Sequence, residues 1–166
     1  MIFGQNIGKG IDIWAFGCLM FEFLTERVLF GVMKFGPDPE AQEDADDDRI
    51  LQLNDVISPL SDTMMEALSR SSKWYGPNRE ALNPHGSGDI YIYTPLGKLF
   101  NENKNPEIDD EEAAVVISIL RQILKFDPEE RPIADELLKH PWFADLSDQE
   151  VASSQEVSAS AGNSDV

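Results

Sequence analysis

A mainly α fold is predicted for this 166-residue chain by three of its features. From Trp14 to about Thr25, large apolar side chains (Trp14, Phe16, Leu19, Met20, Phe21, Phe23, Leu24) occur on every side of a helical wheel, the mark of a helix with neighbours all round. Much later, Val116, Ile119, Leu120, Ile123 and Leu124 recur at helical spacing and form a one-sided apolar stripe. The candidate strand, Ile90-Tyr91-Ile92-Tyr93, is very short.

Taken in order, residues 1–10, with Gly4, Gly8 and Gly10, read as a loop leading into the central apolar helix, and Asp12 suits its cap or first turn. Residues 31–47 are rich in Gly, Pro and acids and are expected to form an insert or loop. Ile50, Leu51, Leu53 and Val56 suit a short helix from Asp48 to Ile57, broken by Ser58-Pro59, and another is expected from Asp62 to Arg70. Residues 74–88 read as irregular. The clearest helix runs from about Asp110 to Lys125. Asp109 with Glu112 resembles a capping box at its start, and Arg121 and Lys125 suit its negative end. A last helix is expected to begin at Pro132 as a first-turn proline and to end before Pro141. The domain is expected to cover residues 1–143, with an acidic, Ser-rich disordered tail at 144–166; Ser147 and Ser164 there lie beside acids.

The formal charge is −18, from 31 acids against 13 bases, which repels nucleic acid and anionic membrane surfaces and favours basic partners. Residues 38–48 carry seven acids and no base, a pattern that ordinarily marks solvated, mobile chain. The strongly apolar run from Ile13 to Phe21 is nine residues, short of the roughly 18 that a membrane span needs. The one cysteine, Cys18, excludes an intramolecular disulfide and reads as a packed thiol in a reducing compartment. With no secretory signal visible at the start, a cytoplasmic or nuclear location is expected.

The ordered motifs Asp12-x-Trp14-x-x-Gly17, Asp127-Pro128-Glu129-Glu130-Arg131-Pro132 and His140-Pro141-Trp142-Phe143 resemble the C-terminal half of the large lobe of eukaryotic protein kinases. The resemblance implies a C-lobe fold around a central helix, whose aspartate bonds to the catalytic loop and on which Leu19 and Phe23 support the stack beneath adenine. It implies that Arg131 is the arginine that pairs with the glutamate of an Ala-Pro-Glu motif. Leu29-Phe30, the acidic insert, Asp48-Arg49-Ile50-Leu51-Gln52-Leu53 and Ser69-Arg70-Ser71-Ser72-Lys73-Trp74 look like the SR-protein kinases of fungi, which phosphorylate serines in Arg/Ser repeats. In that family an acidic groove docks the substrate. Asp48 and Asp55 match two of its acids, while Arg27 stands where some members carry a third. Seven residues apart is nearly two helical turns, so Asp48 and Asp55 share a face on which two carboxylates can accept charge-assisted bonds from successive guanidinium groups. As ordinary solvated acids they would do no more than favour a helix N-terminus.

Phosphoryl transfer needs a Gly-rich loop, an ATP-binding lysine, a His-Arg-Asp loop and an Asp-Phe-Gly metal ligand. None of these is present. Gly4-Gln5-Asn6-Ile7-Gly8-Lys9-Gly10 has one spacer too few for a nucleotide P-loop, and Lys34-Phe35-Gly36 puts lysine where a carboxylate must bind magnesium. Neither His85 nor His140 sits in a catalytic or metal-ligating pattern. No catalytic, cofactor or metal residue is therefore assigned, and ATP and Mg belong to the intact family member. The chain reads first as a fragment of an SR-type serine/threonine kinase, inactive alone, whose central helix needs covering by the missing half. The alternatives are a non-catalytic acidic module that docks Arg/Ser-rich segments, or an unrelated acidic helical interaction protein.

Overall fold

The computed structural model describes residues 8, 10–31, 39–68, 70–82 and 92–144. The chain forms α1 (Gly10–Thr25), α2 (Pro39–Gln52), a π-turn (Leu53–Ile57), α3 (Asp62–Ala67), α4 (Ser71–Trp74), α5 (Leu96–Asn103), α6 (Asp110–Ile123), a 3-10 turn (Pro128–Glu130) and α7 (Ala134–Leu137). A last helical turn spans 141–144. Among the described residues no strand forms. Tyr75 and Ala81 make an isolated antiparallel bridge. Ile92 and Tyr93, expected in a short strand, are irregular, and Ile90 and Tyr91 lie outside the described residues.

The core is the meeting of α1, α5 and α6. Phe21 and Phe100 are both fully buried and meet edge to face, ring centroids 6.1 Å apart. The stripe on α6 closes over them, with Val116, Ile119, Leu120, Ile123 and Leu124 all inaccessible or nearly so. Asp109 caps α6, its Oδ1 accepting from the Glu112 amide at 2.8 Å. Glu112 in turn accepts from the Trp142 indole at 2.9 Å, which ties the closing turn of the domain to α6. Trp142 and Phe143 pack edge to face, and Phe143 reaches Phe16 of α1.

The crossing of α1 and α6 explains Gly17. A Cβ at this position would lie 2.4 Å from Ile123 Cγ2 and 3.1 Å from Leu124 Cδ2, so the backbone of α1 approaches α6 more closely than any side chain permits. Cys18, beside it, is half-buried, and burial pushes its thiol up to about 11, so it is a packed thiol at neutral pH.

Four expectations need correcting. Residues 31–47 are not all insert or loop: from Pro39 the acidic run is helical, and the helix expected at Asp48–Ile57 is the end of α2 with its π-turn. Pro39 supplies the fixed φ of a first helical turn. Helical spacing lets Asp46 meet Gln42 at 3.2 Å and Arg49 at 3.4 Å. The helix expected at 62–70 ends at Ala67, and Ser71–Trp74, of which Trp74 was expected to begin an irregular region, is a separate turn of helix. Pro132 precedes rather than starts the last helix: Ile133 is its cap, and its N–H is held at 3.1 Å by Glu136 Oε2. Finally, α5, for which no helix was expected, supplies Leu96 and Phe100 to the core.

Candidate functional site

The motif residues at the start of α1 form one cluster. Trp14 stacks with Phe30 (6.0 Å, 12°) and with Phe126 (6.5 Å, 25°), and the Arg131 guanidinium lies 4.9 Å from its ring centroid. Arg131 donates Nη1 to Gly10 O at 2.7 Å, Nε to Lys125 O at 2.7 Å and Nη2 to Phe126 O at 3.1 Å. A single side chain thus pins the first turn of α1 to the loop after α6. Partial burial lowers its affinity for the proton, opposed by Asp127, but arginine stays charged at any physiological pH. Arg131→Ala strips three carbonyls of their donor and is expected to destabilise the fold by about 2–3 kcal/mol in a urea titration; a loss under about 0.5 kcal/mol would contradict this anchoring role.

Of the other family positions of α1, Gly17 is buried against α6, while Asp12, Leu19 and Phe23 face outward. Asp12 is exposed in the first turn, Leu19 is 49% exposed and Phe23 80%, with Ile11 and Phe16 also open to solvent. A helix this apolar leaves one face bare.

The two candidate docking acids are brought together by a residue the sequence did not single out, Tyr93. Asp48 Oδ1 accepts from the Tyr93 hydroxyl, and Asp55 Oδ2 accepts from the Tyr93 amide at 3.0 Å. Asp48 Oδ2 also accepts from Gln52 Nε2 at 2.9 Å, whose second bond goes to Gly31 O at 3.0 Å, and Asp55 Oδ1 accepts from Asn54 Nδ2 at 2.9 Å. Both carboxylates are half-buried and oriented by neighbours at the junction of α2 and the π-turn, a helical irregularity frequent at functional sites. Arg27, which the resemblance sets against a third groove acid, is exposed beyond the end of α1.

A second acidic face of α2 turns toward α4. Arg70 bonds Glu43 and reaches Asp44 at 3.0 Å and Asp47 at 3.1 Å, while Lys73 reaches Asp44 at 3.2 Å and Asp47 at 3.7 Å. Asp47 is 5% exposed, so the reading of this run as solvated chain fails for it: a carboxylate so buried requires cations at hand. The bond from Lys73 holds the Asp44 carboxyl below its ordinary value, with Arg70 adding to the effect. Burial works to lower the Arg70 pKa, but Asp47 and then Asp44 and Glu43 outweigh it and raise it. Tyr75, nearby, has its hydroxyl pKa pushed well up by burial and by the charge of Asp55.

The donor set of the described residues does not fit Mg and nucleotide. Among the described residues no group of three His, Cys, Asp or Glu side chains is placed to hold a metal ion. His140 Nδ1 accepts from the Trp142 amide at 3.3 Å, and His85 lies outside the described residues, as do both loops that superficially resemble phosphate or metal motifs, apart from Gly8 and Gly10, and all of the tail from residue 145. No helix among the described residues is long and apolar enough to cross a membrane.

The protein kinase domain family model matches residues 1–143. The chain is 28% identical over 148 residues to the serine/threonine-protein kinase SKY1 of Saccharomyces cerevisiae, covering 87% of this chain and 18% of that protein. It is 26% identical over 146 residues to the serine/threonine-protein kinase SRPK of Physarum polycephalum, covering 88% and 32%. A mitogen-activated protein kinase, mpkC of Aspergillus oryzae, is 28% identical over 148 residues, covering 89% and 35%. The chain therefore spans about a third or less of the length of the curated relatives it matches.

Proposed function

Because this chain belongs to the protein kinase domain family, we propose that it forms the scaffold and substrate-docking part of a serine/threonine kinase of SR type, whose intact form transfers phosphate from ATP to serines in Arg/Ser-rich segments. The observation that carries this reading is the joint hold of Tyr93 on Asp48 and Asp55. It presents two oriented carboxylates, Asp48 on α2 and Asp55 on the π-turn that follows. Each carboxylate offers about four lone-pair sites and fills two in the bonds above, which leaves acceptors for guanidinium donors. The charge of −18 draws a basic segment toward those acids, and the likeness to SKY1 and SRPK supports the same partner class.

In this reading the exposed face of α1 is where the rest of the kinase, with its nucleotide and metal ligands, packs. The 166 residues alone bind the substrate segment and do not phosphorylate it. A second reading, a non-catalytic docking module, draws on the same Asp48–Tyr93–Asp55 arrangement, which needs no nucleotide.

The test is calorimetric titration of the chain with an Arg/Ser-repeat peptide at rising ionic strength. Affinity is expected to fall by about tenfold between about 50 and about 300 mM salt, as charge-driven contacts are screened. Affinity indifferent to salt would sink the docking reading in both its forms.

A further inference from the structure

We propose that the cleft between α2 and α4 is a second pocket for an arginine side chain, one whose acids the chain's own Arg70 engages at rest. This rests on the reading of the chain as a dock for arginine-rich segments, and adds to it a subsite and an internal competitor. The cleft leaves about 340 Å³ open between Glu43, Asp46 and Asp47 on one side and Leu68, Trp74 and Tyr75 on the other, with Arg70 itself part of the lining.

Two buried polar atoms in its lining lack hydrogen bonds. Asp47 Oδ2 accepts none, although the residue is 5% exposed: Arg70 Nη2 at 3.1 Å and Lys73 Nζ at 3.7 Å neutralise its charge without an aligned bond. The Tyr75 hydroxyl is likewise without a hydrogen-bond partner. Buried carboxylate oxygens normally accept a bond, so Asp47 is matched in charge but not in geometry. A guanidinium seated deeper in the cleft supplies what is missing, its planar fork meeting the carboxylate while its face lies against an aromatic ring. The Trp74 ring already takes a cation on its face, the Lys73 ammonium 4.7 Å from its centroid.

Arg70 behaves as a resident ligand. Its guanidinium contacts Glu43, Asp44 and Asp47 together, yet it sits at the N-cap of α4, a helix of four residues. So short a helix has little stability of its own and depends on those ion pairs. An arginine-rich segment offers the same contacts from a longer chain, and can exchange with Arg70.

The experiment titrates the full chain with an Arg/Ser-repeat peptide and with a Lys/Ser peptide of equal length and charge. Arg70→Gln is expected to bind the arginine peptide about fivefold tighter, the effect of removing one partly exposed ion pair that competes for the site. Adding Asp47→Asn is expected to erase that gain, and the lysine peptide is expected to show none. Arg70→Gln affinity that is unchanged or weaker overturns the pocket, as does a gain that survives Asp47→Asn or extends equally to lysine. If Arg70→Gln does not fold by circular dichroism, Lys73→Gln decides with the same expected sign, about twofold, and unchanged or weaker binding there overturns the pocket. The Asp48→Lys, Asp55→Lys double variant reports separately on the underlying reading. If it abolishes binding while Arg70→Gln changes nothing, docking stands and the second pocket falls.

Discussion

Gly17→Val is expected to destabilise the folded chain by about 3 kcal/mol, visible as a fall in Tm of roughly 10 °C in a thermal melt. The reason is local and severe. The first carbon of any side chain at Gly17 would already lie 2.4 Å from Ile123 Cγ2, and valine adds two methyl groups beyond it. Neither helix can yield cheaply, because Phe21 and Met20 on α1 and Ile119, Leu120 and Ile123 on α6 are buried in the same core. Gly17→Ala should cost less, since alanine's higher helix propensity, worth about 1 kcal/mol, offsets part of the clash. Ile123→Ala, itself costing about 2–5 kcal/mol, should be coupled to it: the double variant with Gly17→Ala should lose clearly less than the sum of the singles. Additive losses, or a Gly17→Val chain with the wild-type Tm, would mean that α1 and α6 do not cross at this point.

The second large effect concerns binding rather than stability. Asp48→Lys with Asp55→Lys is expected to weaken an Arg/Ser-repeat peptide by about 100-fold in calorimetric titration. Two charge-assisted contacts are lost and two repulsions take their place. Tyr93→Phe separates charge from architecture. It removes the hydroxyl bond to Asp48 but leaves the amide bond to Asp55 and both negative charges. That variant should bind within about twofold of wild type, because the freed Asp48 oxygen is available to a guanidinium. Equal binding by the double charge reversal would remove Asp48 and Asp55 from the site.

What could be read in the sequence tracks how local the stabilising forces are. The helices α1 and α6 announced themselves by apolar spacing alone, and Asp109 announced its cap, because both signals lie within a turn or two of the residues they organise. The acidic helix α2 did not, because its composition matches solvated chain. What fixes it includes Arg70 and Lys73, whose bonds to Glu43 and Asp44 span 26 to 29 residues. Nothing in the run Asp46-Asp47-Asp48 marks Asp47 as the buried one; that follows from which side of α2 faces α4. The helix α5 was missed because Pro95 and Gly97 flank and interrupt its start, while its apolar signal reduces to Leu96, Leu99 and Phe100 over two turns.

The candidate site shows the same division. Asp48 and Asp55 could be paired from their spacing and from likeness to a known docking groove. Tyr93 could not, since it lies 45 and 38 residues away and reaches one acid with its side chain and the other with its backbone. Leu19 and Phe23 were legible as positions on a central helix, and their exposure follows from the wheel being apolar all round while α5 and α6 cover only part of it.

The central claim is that these residues hold a substrate segment and build a scaffold without themselves handling nucleotide. A radiometric phosphotransfer assay tests it most directly, using the purified chain, Mg-ATP and an Arg/Ser-repeat peptide, with peptide binding confirmed on the same sample. The expected result is bound peptide with no phosphate incorporated above a blank. Phosphoserine formed in proportion to the chain's concentration, and persisting after contaminating kinases are excluded, would contradict it.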